Sequence, residues 1–174
     1  MPATQRIRQG IRALFAFAQD VDFDLAERYL NTKQMALFRA LAPAEQLHSL
    51  NVLRDVLQQA DQTPHDLAVA ALLHDSGKCR VHLAVWQKTL SILVKKFMPR
   101  LDSALSVEPD LTFWRAPFIV RRHHPKWSGE LLAEIGASDC AIWLATHHAD
   151  AATDWQEHPY YGLLLRLQKA DDAN

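Results

Sequence analysis

AVAALLHDSGK, residues 68–78, runs through six apolar residues without a break and then places His74, Asp75, Gly77 and Lys78 within five positions. The apolar run predicts a helix, with Thr63 as its cap, Pro64 at its first position and Gly77 as its stop. His74-Asp75 then stands at a helix terminus. There the backbone turns, so two consecutive side chains can converge on one centre.

Outward from this helix, apolar residues recur at helical spacing almost everywhere, and no stretch alternates convincingly with period two. The expected fold class is all-α, a single-domain helical bundle. Ile7, Ile11, Leu14 and Phe15 form one stripe. Asp24 is a plausible cap for the helix beginning LAERYL, and Pro43 opens a third helix that carries His48. Residues 82–98 read as a long helix, apolar at Leu83, Trp86, Leu90, Leu93 and Phe97 and stopped by Pro99. Residues 99–118 are helical only in pieces. A helix from Pro125 to Ile135 ends at Gly136, Ser138 caps the next one, and the last runs from Pro159 to Asp171. Trp86, Trp114 and Trp127 are expected in the core.

A charged fraction of 22% and a net charge of −1 give no strong field for nucleic acid or an anionic membrane. Cys79 and Cys140 form no CxxC pair and are too few for a disulfide framework, which fits reduced thiols in a cytoplasmic protein. The N-terminus lacks the cleavage site of a signal peptide, and no window reaches the roughly 18–20 apolar residues needed to cross a bilayer. A soluble protein without a membrane partner is the expectation.

Nine histidines are present, and their placement says more than their number. His48 lies in an amphipathic helix, His123-His124 and His147-His148 lie near helix ends, and Asp171 sits in the otherwise apolar and basic LLLRLQKAD. Imidazole nitrogens and carboxylate oxygens without thiolate suit a borderline or hard divalent cation. A carboxylate can bridge two metals where an imidazole binds one. Between two metals a water loses its proton near neutral pH and becomes a nucleophile, while the cations neutralise charge on a phosphoryl group.

LLHDSGK, residues 72–78, resembles the defining motif of the HD phosphohydrolase superfamily. HPKWSGELLAEIG, residues 124–136, looks like the HPxxG-type segment of its HD-GYP branch, with three residues between Pro125 and Gly129. His48, His74-Asp75, His124, His147-His148 and Asp171 follow in the family's order over residues 44–172, with residues 1–43 as a helical extension packed on that core. The resemblance implies a helical bundle with a central centre of two divalent transition metals, from among Fe, Mn, Ni, Co and Zn. His48, His74, Asp75 and Asp171 would hold the first, Asp75 would bridge, and His124, His147 and His148 would complete the second. Lys78 matches the motif lysine, a point charge for a substrate phosphate, and Gly77 would let the backbone turn Lys78 inward. The implied activity is hydrolysis of a phosphate ester or anhydride, of a nucleotide, by metal-bound hydroxide.

The chain departs from the HD-GYP pattern after His148. It reads ADAATDWQEHPYYG where that branch carries GYP, which puts cyclic di-GMP in doubt as substrate. Four residues before His48, where some relatives carry an extra acidic ligand, stands Ala44; Glu45 is expected to face elsewhere. Arg121, Arg122 and Lys126 bracket His124, either as a solvated basic patch or with an arginine clamping a second phosphate. Two other readings share the ligand set: a di-iron oxygenase cleaving a C–C or C–P bond, and a metal-filled module that senses a nucleotide without turnover. His65, His82 and His158 read as ordinary surface or helix-end residues, and Cys79 as a packing residue.

Overall fold

The computed structural model describes residues 20–107 and 111–174, apart from the side chain of Val85. The Ile7–Phe15 stripe lies outside the described residues. The described chain forms nine α-helices and two 3-10 turns, with no strand among them. It is an all-α fold.

Local chemistry sets the helix starts. Helix α1 (Phe23–Glu27) is capped by Asp22, whose carboxylate accepts the Leu25 N–H at 3.0 Å, so the cap lies two residues before the expected Asp24. Helix α2 (Thr32–Ala40) opens on a reciprocal box. Asn31 accepts from the Gln34 N–H, and the Gln34 side chain accepts from the Asn31 N–H. Pro43 occupies the first turn of α3 (Pro43–Gln58) as expected. Helix α4 (His65–Leu73) starts one residue later than the sequence suggests, with Pro64 in the cap position. Thr63 does not cap it, because its hydroxyl accepts from Arg166 at 3.0 Å.

Leu67 to Leu73 are all buried, so α4 is the central rod of the bundle. Around it pack α2, α3, α8 (Asp139–His147) and α9 (Tyr161–Ala173), and their apolar faces share one core with α1. Helix α9 begins at Tyr161 rather than Pro159. It is tied to the end of α3 by Gln59, which donates to the Arg166 carbonyl at 2.9 Å. Ser138 caps α8 as expected, accepting from the Ala141 N–H.

Helix α7 corrects the sequence reading most. It runs unbroken over Ala116–Glu134 with Pro125 in its interior, so Pro117, not Pro125, sits in its opening turn. It lies along α8 and against the 3-10 turn Ser76–Arg80. It closes at Gly136, whose φ of 73° is the left-handed conformation that favours glycine.

Gly77 does something other than expected. Helix α4 has already ended at Leu73, and Gly77 lies inside the 3-10 turn with no positive φ. What it needs is room: a Cβ there would stand 2.2 Å from the His124 carbonyl oxygen. The missing side chain lets the turn seat against α7, where the Gly77 N–H donates to the Ser128 hydroxyl at 2.8 Å.

Helix α5 (Val85–Phe97) and helix α6 (Pro99–Leu105) lie between the 3-10 turn and α7. The apolar stripe of α5 faces outward. Gln87 and Ser91 are buried, whereas Trp86 is 50% and Phe97 69% exposed. Of the three tryptophans expected in the core, Trp127 is buried, but Trp86 and Trp114 are exposed. Among the described residues no helix is long and apolar enough to cross a membrane.

Candidate metal centre

Five elements deliver side chains to one point beyond the end of α4. His48 comes from the middle of α3, and His74 is the residue at which α4 ends. Asp75 leaves helical geometry at φ −96°, ψ 6°, which lets it converge with its neighbour His74. His124 comes from α7, His148 from the first position past α8, and Asp171 from the last turns of α9.

Three of the imidazoles are held by one device. A helix leaves its last carbonyls without N–H partners. His74 and His148, at the ends of α4 and α8, each aim Nδ1 at the carbonyl three residues back, Ala71 at 3.0 Å and Ala145 at 2.8 Å. His124 lies inside a helix, where such carbonyls are normally taken. Pro125 has no N–H, so the Arg121 carbonyl four residues back lacks its helical donor. His124 Nδ1 lies 3.0 Å from that oxygen and 3.1 Å from that of Val120. With Nδ1–H donating to a carbonyl, each ring presents Nε2 as a lone-pair ligand.

Those Nε2 atoms surround the two oxygens of Asp75. Oδ2 lies 3.7 Å from His48 and 3.5 Å from His74, and Oδ1 lies 3.1 Å from His124 and 3.7 Å from His148. Asp171 Oδ1 joins the first set, 2.9 Å from His48 and 3.5 Å from His74. Two groups with metal-ligating geometry result, sharing Asp75: His48–His74–Asp75 and Asp75–His124–His148. Buried His/Asp groups of this kind could hold metal ions.

The electrostatics favour positive charge at this point. Burial alone would strip the proton from the wholly enclosed His74, yet the Asp75 and Asp171 carboxylates raise it to about 9. Asp75 is held well below the usual carboxylate range. Its burial opposes this, but Lys78, His74 and His124 outweigh it. His148 goes the other way, down to about 3, through burial and the charge on His74. His74 Nε2 is also fully buried and makes no aligned hydrogen bond. A buried nitrogen with no aligned hydrogen bond, 3.5 Å from each of two carboxylates, is placed where it could serve a metal ion as a ligand.

Lys78 stands against the cluster, 2.5 Å from Asp75 Oδ2 and 3.5 Å from Glu45 Oε2. It lies on the wall of a cavity of about 230 Å³ that reaches His124. Glu45, Lys88 and Arg121 line the same cavity. Glu45 faces inward, contrary to expectation, and forms an ion pair with Lys88. Lys88 is not marked by the sequence reading, which also turns Glu45 away from the site. The signal for Glu45 was its spacing, since three residues before His48 is as much a helical neighbour as four.

The structure brings together His48, His74, Asp75, His124, His148 and Asp171, with Lys78 beside them. It does not bring in His147. His147 Nδ1 lies 2.7 Å from the Asp150 carboxylate, and its ring packs 4.2 Å from that of Trp155. His148 is still helical at φ −57°, ψ −28°, so the two neighbours diverge by roughly 100° around the axis. Arg122 is exposed and reaches the Ser106 hydroxyl instead, while Arg121 is paired with Asp102 at the cavity wall. His158 stacks on Trp143 with centroids 3.9 Å apart.

Pro125→Ala tests the holding device. A restored N–H competes with His124 for the Arg121 carbonyl, so affinity on the His124–His148 side should fall by about 10–100-fold, the usual cost of losing an outer partner of a ligand. Binding on the His48–His74 side should stay unchanged, as metal titration would read.

No family model, no curated protein and no solved structure matches the chain.

Proposed function

We propose that this chain is a metal-dependent phosphohydrolase of the HD type, acting on a phosphate ester or anhydride, of a nucleotide, with two divalent transition metals. One observation carries the reading: the two oxygens of Asp75 face two separate sets of imidazoles, as a carboxylate bridging two cations would. His48, His74 and Asp171 would complete one side, and His124 and His148 the other. Bound there, the cations would supply Lewis acidity toward a phosphoryl oxygen and acidify a water to serve as nucleophile.

The chain's own groups would do the rest. Lys78 places an ammonium between the cluster and the cavity, where it can meet phosphoryl oxygens. The Asp75 and Glu45 carboxylates raise its pKa against the effect of burial, so it stays charged. Lys88 and Arg121 give the cavity wall further positive charge, partly balanced by Glu45 and by the Asp102 that pairs with Arg121. Such a wall favours an anionic substrate, and its apolar members, Leu41, Leu83 and Val120 among them, offer contact to a less polar part of it.

The test is metal content of the purified chain, paired with product release from a nucleotide panel under Mn, Fe, Co or Ni. About two metals per chain and metal-dependent release support the proposal. Two irons with oxygen uptake and no hydrolysis would replace it with an oxygenase. Tight nucleotide binding without turnover under any metal would replace it with a sensor. Lys78→Gln should keep both metals and lose about 10²–10³-fold in kcat, the usual effect of removing one group that stabilises developing charge.

A further inference from the structure

Among the described residues, twelve large hydrophobic side chains are exposed, and eleven of them lie between Trp86 and Trp114. They come from α5, α6 and the segment leading to α7, so the concentration belongs to this part of the chain alone. Trp86, Leu90, Leu93 and Phe97 follow one another at spacings of four, three and four, which aligns them on one face of α5. That helix buries polar residues and exposes its apolar stripe. Trp86, Phe113 and Trp114 are also exposed and lie against one another, with centroids 5.3–6.3 Å apart. An aromatic buries about 150–250 Å², and a typical monomer's largest apolar patch is about 300–600 Å². Four aromatics exposed by half or more come to about that area by themselves, and exposed Leu90 and Leu93 lie on the same stripe of α5.

Charge decides what covers this face. Lys95 and Lys96 end α5 and Arg100 begins α6, all three exposed. The one described carboxylate of residues 86–107, Asp102, is held by Arg121; Glu108 and Asp110 lie outside the described residues. A second copy docked face to face would bring the same three cations to a shared rim. Residues 1–19 would bring Arg6, Arg8 and Arg12 to a face already basic. An anionic lipid surface matches both properties, taking Trp, Phe and Leu into the acyl boundary and Lys and Arg at the headgroups.

We propose that the outward face of α5 and α6, with Phe113 and Trp114, lies in the plane of an anionic membrane surface. At 13 residues α5 is about 20 Å long, which suits a helix lying in the interface and not one spanning it. The sequence reading expects no membrane partner because the net charge is −1 and no apolar window is long enough to cross a bilayer. Neither registers a local apolar face rimmed by lysines. The proposal stands apart from the hydrolase reading, and either can fail alone.

Flotation of the full chain with phosphatidylcholine vesicles, plain or containing phosphatidylglycerol, tests it. The expected result is recovery with the anionic vesicles, a blue shift of tryptophan emission, and weakening as salt is raised. Phe97→Ser with Trp114→Ser should lower the partition by at least about 10-fold, from the apolar contact removed. Lys95→Glu with Lys96→Glu should abolish the preference for anionic lipid. Both pairs are exposed, and unchanged circular dichroism and melting would show that the fold is kept. No binding to anionic vesicles overturns the proposal. A dimer in light scattering that Phe97→Ser with Trp114→Ser dissolves would assign the face to a second copy. Vesicle binding that appears only when residues 2–19 are deleted would assign it to the chain's own N-terminus.

Discussion

Asp75→Asn should leave the chain folded and, on the proposed two-metal reading, abolish metal binding on both sides of the centre at once. Asparagine keeps the volume and planar shape of the buried side chain, so packing around it is preserved. The amide carries no charge, and one of its two ends becomes a donor. Whichever way it turns, one imidazole set faces an N–H₂ where it had an oxygen. The first set keeps Asp171, 2.9 Å from His48, while the second keeps only His124 and His148. Lys78 retains Glu45 at 3.5 Å and opens on the cavity, which limits the cost of leaving its charge without Asp75. The loss of affinity should exceed the about 10–100-fold that follows loss of an outer partner, because a shared ligand is removed. Elemental analysis beside a thermal melt reads this directly. A folded Asp75→Asn protein that still holds two metals would refute the bridging role.

Gly77→Ala, a single methyl group, should be nearly as damaging. The added carbon would meet the His124 carbonyl oxygen at 2.2 Å, and the Ser128 nitrogen and Trp127 Cβ at 2.9 Å. Two of these are backbone atoms of a buried helix and cannot rotate aside. Either the 3-10 turn lifts or α7 shifts, and both break the chain of bonds from the Gly77 N–H through the Ser128 hydroxyl to the His124 carbonyl. Overpacking typically costs about 1–3 kcal/mol, and the upper end applies where backbone must move. Asp75 and His124 stand on opposite sides of this contact, so the 3.1 Å between them should widen and metal affinity fall with stability. Gly162→Ala, where nothing lies within 4 Å of the new carbon, is the control and should stay within about 0.5 kcal/mol. Chemical denaturation of both variants, with and without metal, separates the two effects.

What could be read from the sequence depended on whether the deciding physics was local. His74 and His148 were legible because a helix end supplies spare carbonyls, and such ends are marked by caps and breakers in the sequence. Pro125 was legible as a proline but misread as a helix start. Its effect inside α7 needs the buried turns on both sides, which hold the helix together across the missing bond. The resemblance implies both His147 and His148 as ligands, yet adjacent side chains converge only where the backbone leaves the helix, as it does at Asp75 and not at His148. In α5 the periodicity announced two unlike faces. It could not say which of them the rest of the molecule would cover, since that is a property of the neighbours.

His48 and Asp171 lie 2.9 Å apart although most of the described chain separates them. The ties from Gln59 to Arg166 and from Asn174 to Asp55 repeat that long-range pairing along α3 and α9. Contacts between distant segments form slowly, because loop closure must be completed before they contribute. Docking of α9 on α3 would therefore be the step that completes the proposed first ligand set. During refolding, the rate of metal capture would serve as a clock for that docking, while α3 and α4, neighbours in sequence, would gain helical signal earlier.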